Sequence, residues 1–324
     1  MQFRSRREGQ YFFTEVFGVT VNAISEQYQF LLRLLFDEEL REQFAENRSA
    51  VFAEEGLSSA TIKAFSKLDI YGLNLDAQGR KRYIMNSLCR SYPITSAAIG
   101  SLPNGPRSLS SFLKSSVIFQ PIGQRNLAYG RHLKRLITLN HWGASRATMY
   151  LMETFLQFEN ALIENAISIR SAVTLGNPPP APIEYSASHF KKCRVHLPPF
   201  LLAVVLPTST EMMKTALAQI SSANAWDTIC AGVLDFSRLN TLARSDLDPV
   251  TVIARGLVSK LSHERAGAGG LSPLIGVHHL QIEMVQDRKE WLQSFDGSKK
   301  IRDYPMNEQK RIKNLIHAGF LTLR

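Results

Sequence analysis

The chain has 324 residues, 44% of them hydrophobic and 20% charged, which is ordinary for globular protein and long enough for two domains with separate cores, so disorder is not expected. No run approaches the roughly 18 consecutive apolar residues of a membrane span, and Arg4, Arg6 and Arg7 followed by Glu8 lack the apolar core of a secretory signal, so no membrane association and a cytoplasmic location are expected. The net charge of +10 is concentrated: residues 77–152 hold eleven Lys and Arg and no Asp or Glu, while the rest of the chain carries the other 27 basic residues and all 28 acidic ones. Such a block either draws an anionic partner or is solvated on several unrelated faces of its helices.

Residues 1–24 read as an arm with Tyr11, Phe12, Phe13 and Phe17 but no clear period. Tyr28, Leu31, Leu32 and Leu35 then form a helical stripe, and Leu40, Phe44, Val51 and Phe52 predict a second helical stretch ending at Gly56. Ser58 or Ser59 caps a third helix carrying Ile62, Phe65 and Leu68. A helix over 81–91 should stop at Tyr92, because the residue before Pro93 resists the α region. Further helix is predicted over 109–116 and 127–139. The longest periodic segment, 148–170, places Met152, Phe155, Leu156, Leu162, Ile163, Ala166 and Ile167 on one stripe with Glu159 inside it. A buried carboxylate needs a partner, and an ion pair with an arginine of the basic block, such as Arg90, is the expectation.

Four prolines at 178, 179, 180 and 182 can be neither helix nor central strand, which predicts a semi-rigid linker over 173–188. That linker separates a helical domain, 25–172, from a second domain, 189–324. The second begins with strands over 193–197 and 200–206 and a helix from Thr210 to Ile220, and residues 266–270, AGAGG, form a flexible connection. Val277 to Val285 alternates, with Leu280, Ile282 and Met284 on one face and His279, Gln281 and Glu283 on the other. Lys289 to Phe295 is short and amphipathic, and Asp296-Gly297 breaks the pattern. Asn307 is a plausible N-cap for a helix with Ile312, Leu315 and Ile316 inward and Gly319 as its stop, after which Phe320 to Leu323 returns to a sheet. Strand, short helices and closing strand have winged-helix proportions. The fold class expected is therefore α+β: an all-α N-terminal domain joined by a Pro-rich linker to a C-terminal α/β domain of winged-helix character. A domain of that kind either reads nucleic acid or holds an extended peptide as an added strand.

No catalytic constellation emerges from the sequence. There is no GxSxG, no HExxH, no triad motif and no pair of carboxylates, so no enzyme acting alone is expected. Cys89, Cys193 and Cys230 are odd in number and widely spaced, which gives neither a disulfide framework nor a CxxC site. His189, Cys193 and His196 have a spacing a metal could use, but a fourth ligand is not apparent and a strand would send 193 and 196 to opposite sides. No metal or other cofactor is expected in this chain. Lys310, Arg311, Lys313, Asn314 and His317 form the polar face of the last helix, which suits a phosphate backbone, an acidic peptide or plain solvent.

Three stretches of the first half, KRYIMNSLCRSYPITSAAIG (81–100), SLSSFLKSS (108–116) and METFLQFENALIENA (152–166), resemble the helical N-terminal domain of HvfC/BufC-type proteins. The tail, HLQIEMVQDRKEWLQSFDGSKKIRDY followed by KRIKNLIHAGFLTL, is similar to the winged-helix end of those proteins and to RiPP recognition elements, and residues 30–68 resemble a small helical module of peptide-modification pathways. The resemblance covers most of the chain through loose motifs and looks closest to the partner subunits of the thiaglutamate (pearlin-type) pathway. It implies a non-catalytic subunit that forms a heterodimer with a multinuclear non-heme iron oxygenase, a TIM-barrel enzyme. The iron would sit in that oxygenase. The subunit would bind the leader of a ribosomally made precursor peptide and deliver its C-terminal cysteine for excision of the β-carbon.

On that basis the expected peptide groove comprises Gln281, Glu283, Lys310, Lys313, Asn314 and His317, with the leader paired to an exposed strand edge. The expected oxygenase-docking face comprises Arg131, Lys134 and Arg135, of which Arg131 and Arg135 stand four apart on one helix side. The alternative is a winged-helix DNA-binding regulator. Because the positive block lies in the other half of the chain, nucleic acid is the less expected partner.

Overall fold

The computed structural model describes residues 21–114, 116–177, 190–216, 225–232, 234, 236–245, 247–260, 275–285 and 288–323. Residues 1–20 of the expected arm and the four prolines of the expected linker lie outside the described residues. The chain is a mixed α+β protein that divides into two compact units, residues 1–87 with 110–118 and residues 88–109 with 119–324.

The first unit is helical: α1 (Val21–Phe36), α2 (Glu38–Glu46), α3 (Arg48–Glu54), α4 (Ser59–Phe65) and most of α5 (Ile70–Ser91). Short polar residues set its boundaries. Asp37, Asn47 and Ser58 each accept a bond from a first-turn amide, those of Leu40, Ala50 and Thr61. Glu26 accepts from the hydroxyls of Ser58 and Thr61 and so ties α1 to α4. Phe30, Phe44, Phe52 and Phe65 meet edge-on or tilted in the core, around Leu34. Helix α5 starts eleven residues before the expected Lys81, because Asp69 accepts from the amides of Tyr71 and Gly72 and opens it across a stretch of weak helix formers, Gly72, Asn74, Asp76 and Gly79. Three cations of the basic block are neutralised here by acids from outside it: Arg80 by Asp76, Lys81 by Glu38 and Lys114 by Glu39.

The second unit begins with the end of α5 and continues through α6 (Pro93–Gly100), α7 (Gly105–Ser110), α8 (Ile122–Leu139) and the 29-residue α9 (Arg146–Thr174), which Ser145 caps. Pro93 ends one helix and occupies the first turn of the next, so a proline expected as a stop is also a start. Helices α8 and α9 approach closely at Gly130, where a Cβ would come within 2.3 Å of both the Tyr92 hydroxyl and Asn160 Oδ1.

Beyond the helices lie β1 (Arg194–His196), β2 (Leu201–Leu206), α10 (Thr210–Ala216), α11 (Ala225–Cys230), α12 (Phe236–Arg244), β3 (Val250–Lys260), β4 (Ile275–Val285), α13 (Lys289–Gln293), β5 (Asp296–Lys300), α14 (Met306–His317) and β6 (Thr322–Leu323). They form two antiparallel sheets, ordered β2-β3-β4 and β5-β1-β6. The strand expected at the head of the C-terminal unit, 277–285, therefore pairs with β3 and not with the closing strand, which pairs with β1. Strand β3 had no counterpart in the expected elements. Residues 250–255 are buried on both faces, which erases the alternation that marks a half-buried strand. Helix α14 starts after Pro305, and Asn307 sits inside its first turn rather than capping it.

Sheet register explains how the two faces are used. Ala203, Ile253, Ile282 and Met284 point to a core shared with Val195, Leu292, Phe295, Ile312, Leu315, Ile316 and Phe320. The alternate positions, among them Gly256, His279 and Gln281, face α9. Gly297, at φ +84°, lies so close to the His196 ring that a Cβ would stand 1.9 Å from it.

Candidate functional site

Strand β4 is an edge strand, and among the described residues nothing pairs with its outer side. Next to it, between α9 and the sheet, lies a cleft of about 330 Å³. Its walls join an apolar strip of α9, with Leu162, Ile163 and Ile167, to the polar row His279 and Gln281 of β4, and Arg90, Arg170 and Lys214 add positive charge.

Glu159 lies at its base, 2% exposed. Its carboxylate accepts from the amide of Ile94 at 2.7 Å and that of Thr95 at 3.2 Å, the first turn of α6. The expected ion pair with an arginine is thus replaced by a helix N-terminus, whose amides have no partner within the helix and whose dipole favours negative charge. Burial still outweighs these bonds and pushes the carboxyl up to about 7. The Tyr92 hydroxyl shares its one proton between Asn160 Oδ1 at 2.7 Å and the Asn126 carbonyl at 3.0 Å, fixing the residue that delivers Pro93 to the site. Pro-Ile-Thr directly after a helix end is the signal that could have located the Glu159 partner.

Asn165 holds the strand against α9. Its Nδ2 donates to the Phe200 carbonyl at 2.9 Å, so the His279 Nε2 3.0 Å from its Oδ1 must be the donor of that pair. Burial, and then neighbouring His278, push the His279 imidazole below its usual range, which favours the neutral ring. The β2–β3 register continued by one residue sets Phe200 opposite Gly256, and Gly256 pairs with His279. These three residues make one row across the sheet under Asn165. Gly256 leaves the room: a Cβ there would lie 2.1 Å from Ile169 Cδ1 and 3.5 Å from Asn165 Oδ1. Phe200 takes a left-handed φ of +65° at the end of that row.

Of the expected groove residues, Gln281 lines the cleft. Glu283 shares its strand face but accepts from the Thr210 amide and hydroxyl, which commits it to the start of α10. Lys310, Lys313, Asn314 and His317 are exposed on the outer face of α14. The six do not form one groove. Strand alternation turns Gln281 and Glu283 away from Ile282 and Met284, and those two share their core with the inner face of α14. Arg131, Lys134 and Arg135 all lie exposed on α8. Arg170, Lys214, Asn165 and His279 were not singled out as site residues, because only the tertiary fold brings their elements together.

His189 lies outside the described residues, and among those described no three His, Cys, Asp or Glu gather in metal-binding reach. Among them, too, no helix is long and apolar enough to cross a membrane. Comparison of the chain with protein-family models, with curated proteins and with solved structures found no match in any of the three.

Proposed function

We propose that this protein is a peptide-binding, non-catalytic subunit that holds the leader of a ribosomally made precursor and presents its reactive residue to a multinuclear non-heme iron oxygenase. The observation that carries the proposal is the edge of β4, unpaired among the described residues, beside a cleft with an apolar wall and three cations. An extended peptide added to that edge gains backbone hydrogen bonds along the strand, and every second side chain enters the cleft. The winged-helix character of the C-terminal segment rests on its order of elements and on the family resemblance, and the choice of oxygenase, including excision of a cysteine β-carbon, rests on the resemblance alone. In this proposal the iron and its chemistry belong to the oxygenase, and this chain contributes binding and orientation. Arg131, Lys134 and Arg135, exposed on one helix, supply the docking charge.

A second reading, a DNA-binding regulator, is favoured by the exposed Lys310, Arg311 and Lys313 on α14. Co-expression with the genomic neighbours followed by co-purification, and polarisation titrations of a neighbouring leader peptide and of random duplex DNA at two salt concentrations, separate the two. Association with an iron protein and selective peptide binding are expected. Binding of DNA alone, weakening steeply with salt, would replace the proposal with the second reading.

A further inference from the structure

The cleft beside β4 carries more positive charge than packing requires. Arg90, Arg170 and Lys214 come from three different elements, α5, α9 and α10, and converge on one opening. Glu159, the one acid among the described residues that line it, is buried with its oxygens turned to the amides of Ile94 and Thr95, and so is not spent on Arg170 or Lys214. Arg170 Nε is buried and has no hydrogen-bond partner among the described residues. Among the described residues, neither Arg170 nor Lys214 forms an ion pair. A buried donor of this kind is costly to leave unsatisfied, and a carboxylate brought by a ligand would remove the cost.

We propose that this cleft is a carboxylate socket in which an extended peptide places an Asp or Glu side chain against Arg170 and Lys214. The inference rests on the peptide-binding reading above and names the chemistry of the peptide. A strand added to β4 projects alternate side chains toward α9, so the acid enters the cleft and an apolar residue two positions away packs on Leu162, Ile163 and Ile167. The apolar wall separates this ligand from a nucleic-acid backbone, which would leave that wall uncovered. The recognition element is therefore an acid and an apolar residue two positions apart, both on the strand face turned to α9.

The test uses the full chain, labelled for Arg Nε–H and backbone amide NMR, titrated with acetyl-Thr-Glu-Thr-Leu-Thr-amide and with the same peptide carrying Gln in place of Glu. The acidic peptide is expected to move the Arg170 Nε–H resonance and to bind at least about tenfold more tightly than the Gln analogue, a gap of about 1.4 kcal/mol. R170A and K214A should each remove most of that difference. Lys214 is exposed on its helix, so K214A keeps the test valid should R170A disturb packing. Equal binding of the two peptides, or acidic-peptide binding indifferent to both substitutions, would overturn the socket. Amide shifts over 277–284 with Arg170 silent would leave strand addition standing and the socket refuted. An Arg170 response to the acidic peptide without those amide shifts would support the socket and count against strand addition, and silence at both would refute both.

Discussion

Glu159→Gln isolates the effect of burying a carboxyl against a helix N-terminus. The folded carboxyl is raised from 4.5 to about 7 by burial, so the protonated form is the one the fold prefers. Stability from this group is then fully present below the unfolded pKa and is lost as the pH rises through 7. A gap of that size is worth about 3 kcal/mol. Glutamine does not titrate, and it keeps one oxygen for the Ile94 amide while setting its own NH₂ against that of Thr95, a mismatch of about 1–3 kcal/mol. The native chain should therefore exceed E159Q in stability at about pH 5, and the difference should shrink by up to about 3 kcal/mol, to zero or below, by about pH 8.5. Urea titration followed by tryptophan fluorescence reads the relevant unit, because Trp142, Trp226 and Trp291 all lie in it. A stability difference that stays the same between those two pH values would refute the assignment of a buried, raised carboxyl.

Three other substitutions probe the same framework. Gly130→Ala drives a methyl into the Tyr92 hydroxyl and Asn160 and should destabilise the second unit by about 1–3 kcal/mol in the same urea assay. Asn165→Ala removes the bonds to Phe200 and His279 and should cost about 1–3 kcal/mol; it should also speed hydrogen exchange in β4, and unchanged protection there would count against the bridging role. Charge reversal of Arg131 and Arg135 together should leave urea stability within about 0.5 kcal/mol, since both are exposed, and should abolish co-purification with the proposed oxygenase partner; retained co-purification would remove these residues from the proposed docking face.

The sequence revealed the elements whose signals are local and concealed what depends on tertiary pairing. The period of α9, the Ser58 cap and the alternation of β4 are each written within a few residues, and each is present in the fold, except that Leu280, expected inward beside Ile282 and Met284, is 42% exposed. β3 was hidden because a strand buried on both faces loses its period. Within the candidate site, Gln281 was legible from its strand face, yet its companions were not. Glu159 was recognisable as a buried acid in need of a partner, but the partner is formed by backbone, which has no letter in the sequence. Arg170 and Lys214 carry no local signal of a shared site, because α9 and α10 meet β4 only in the tertiary fold. The expected groove went astray because residues polar on β4 and residues polar on α14 face away from the one core that both elements share.

The row Phe200, Gly256 and His279 under Asn165 has a mechanical consequence. One amide side chain grips both outer strands of a three-stranded sheet, about 10 Å apart at the usual strand spacing, while the glycine between them lets the helix settle. Sliding the sheet by one residue along α9 would break both grips and push a Cβ-bearing residue against Ile169. The helix thus serves as a fixed datum for the sheet: the places of His279 and Gln281 along the cleft are set before any ligand arrives.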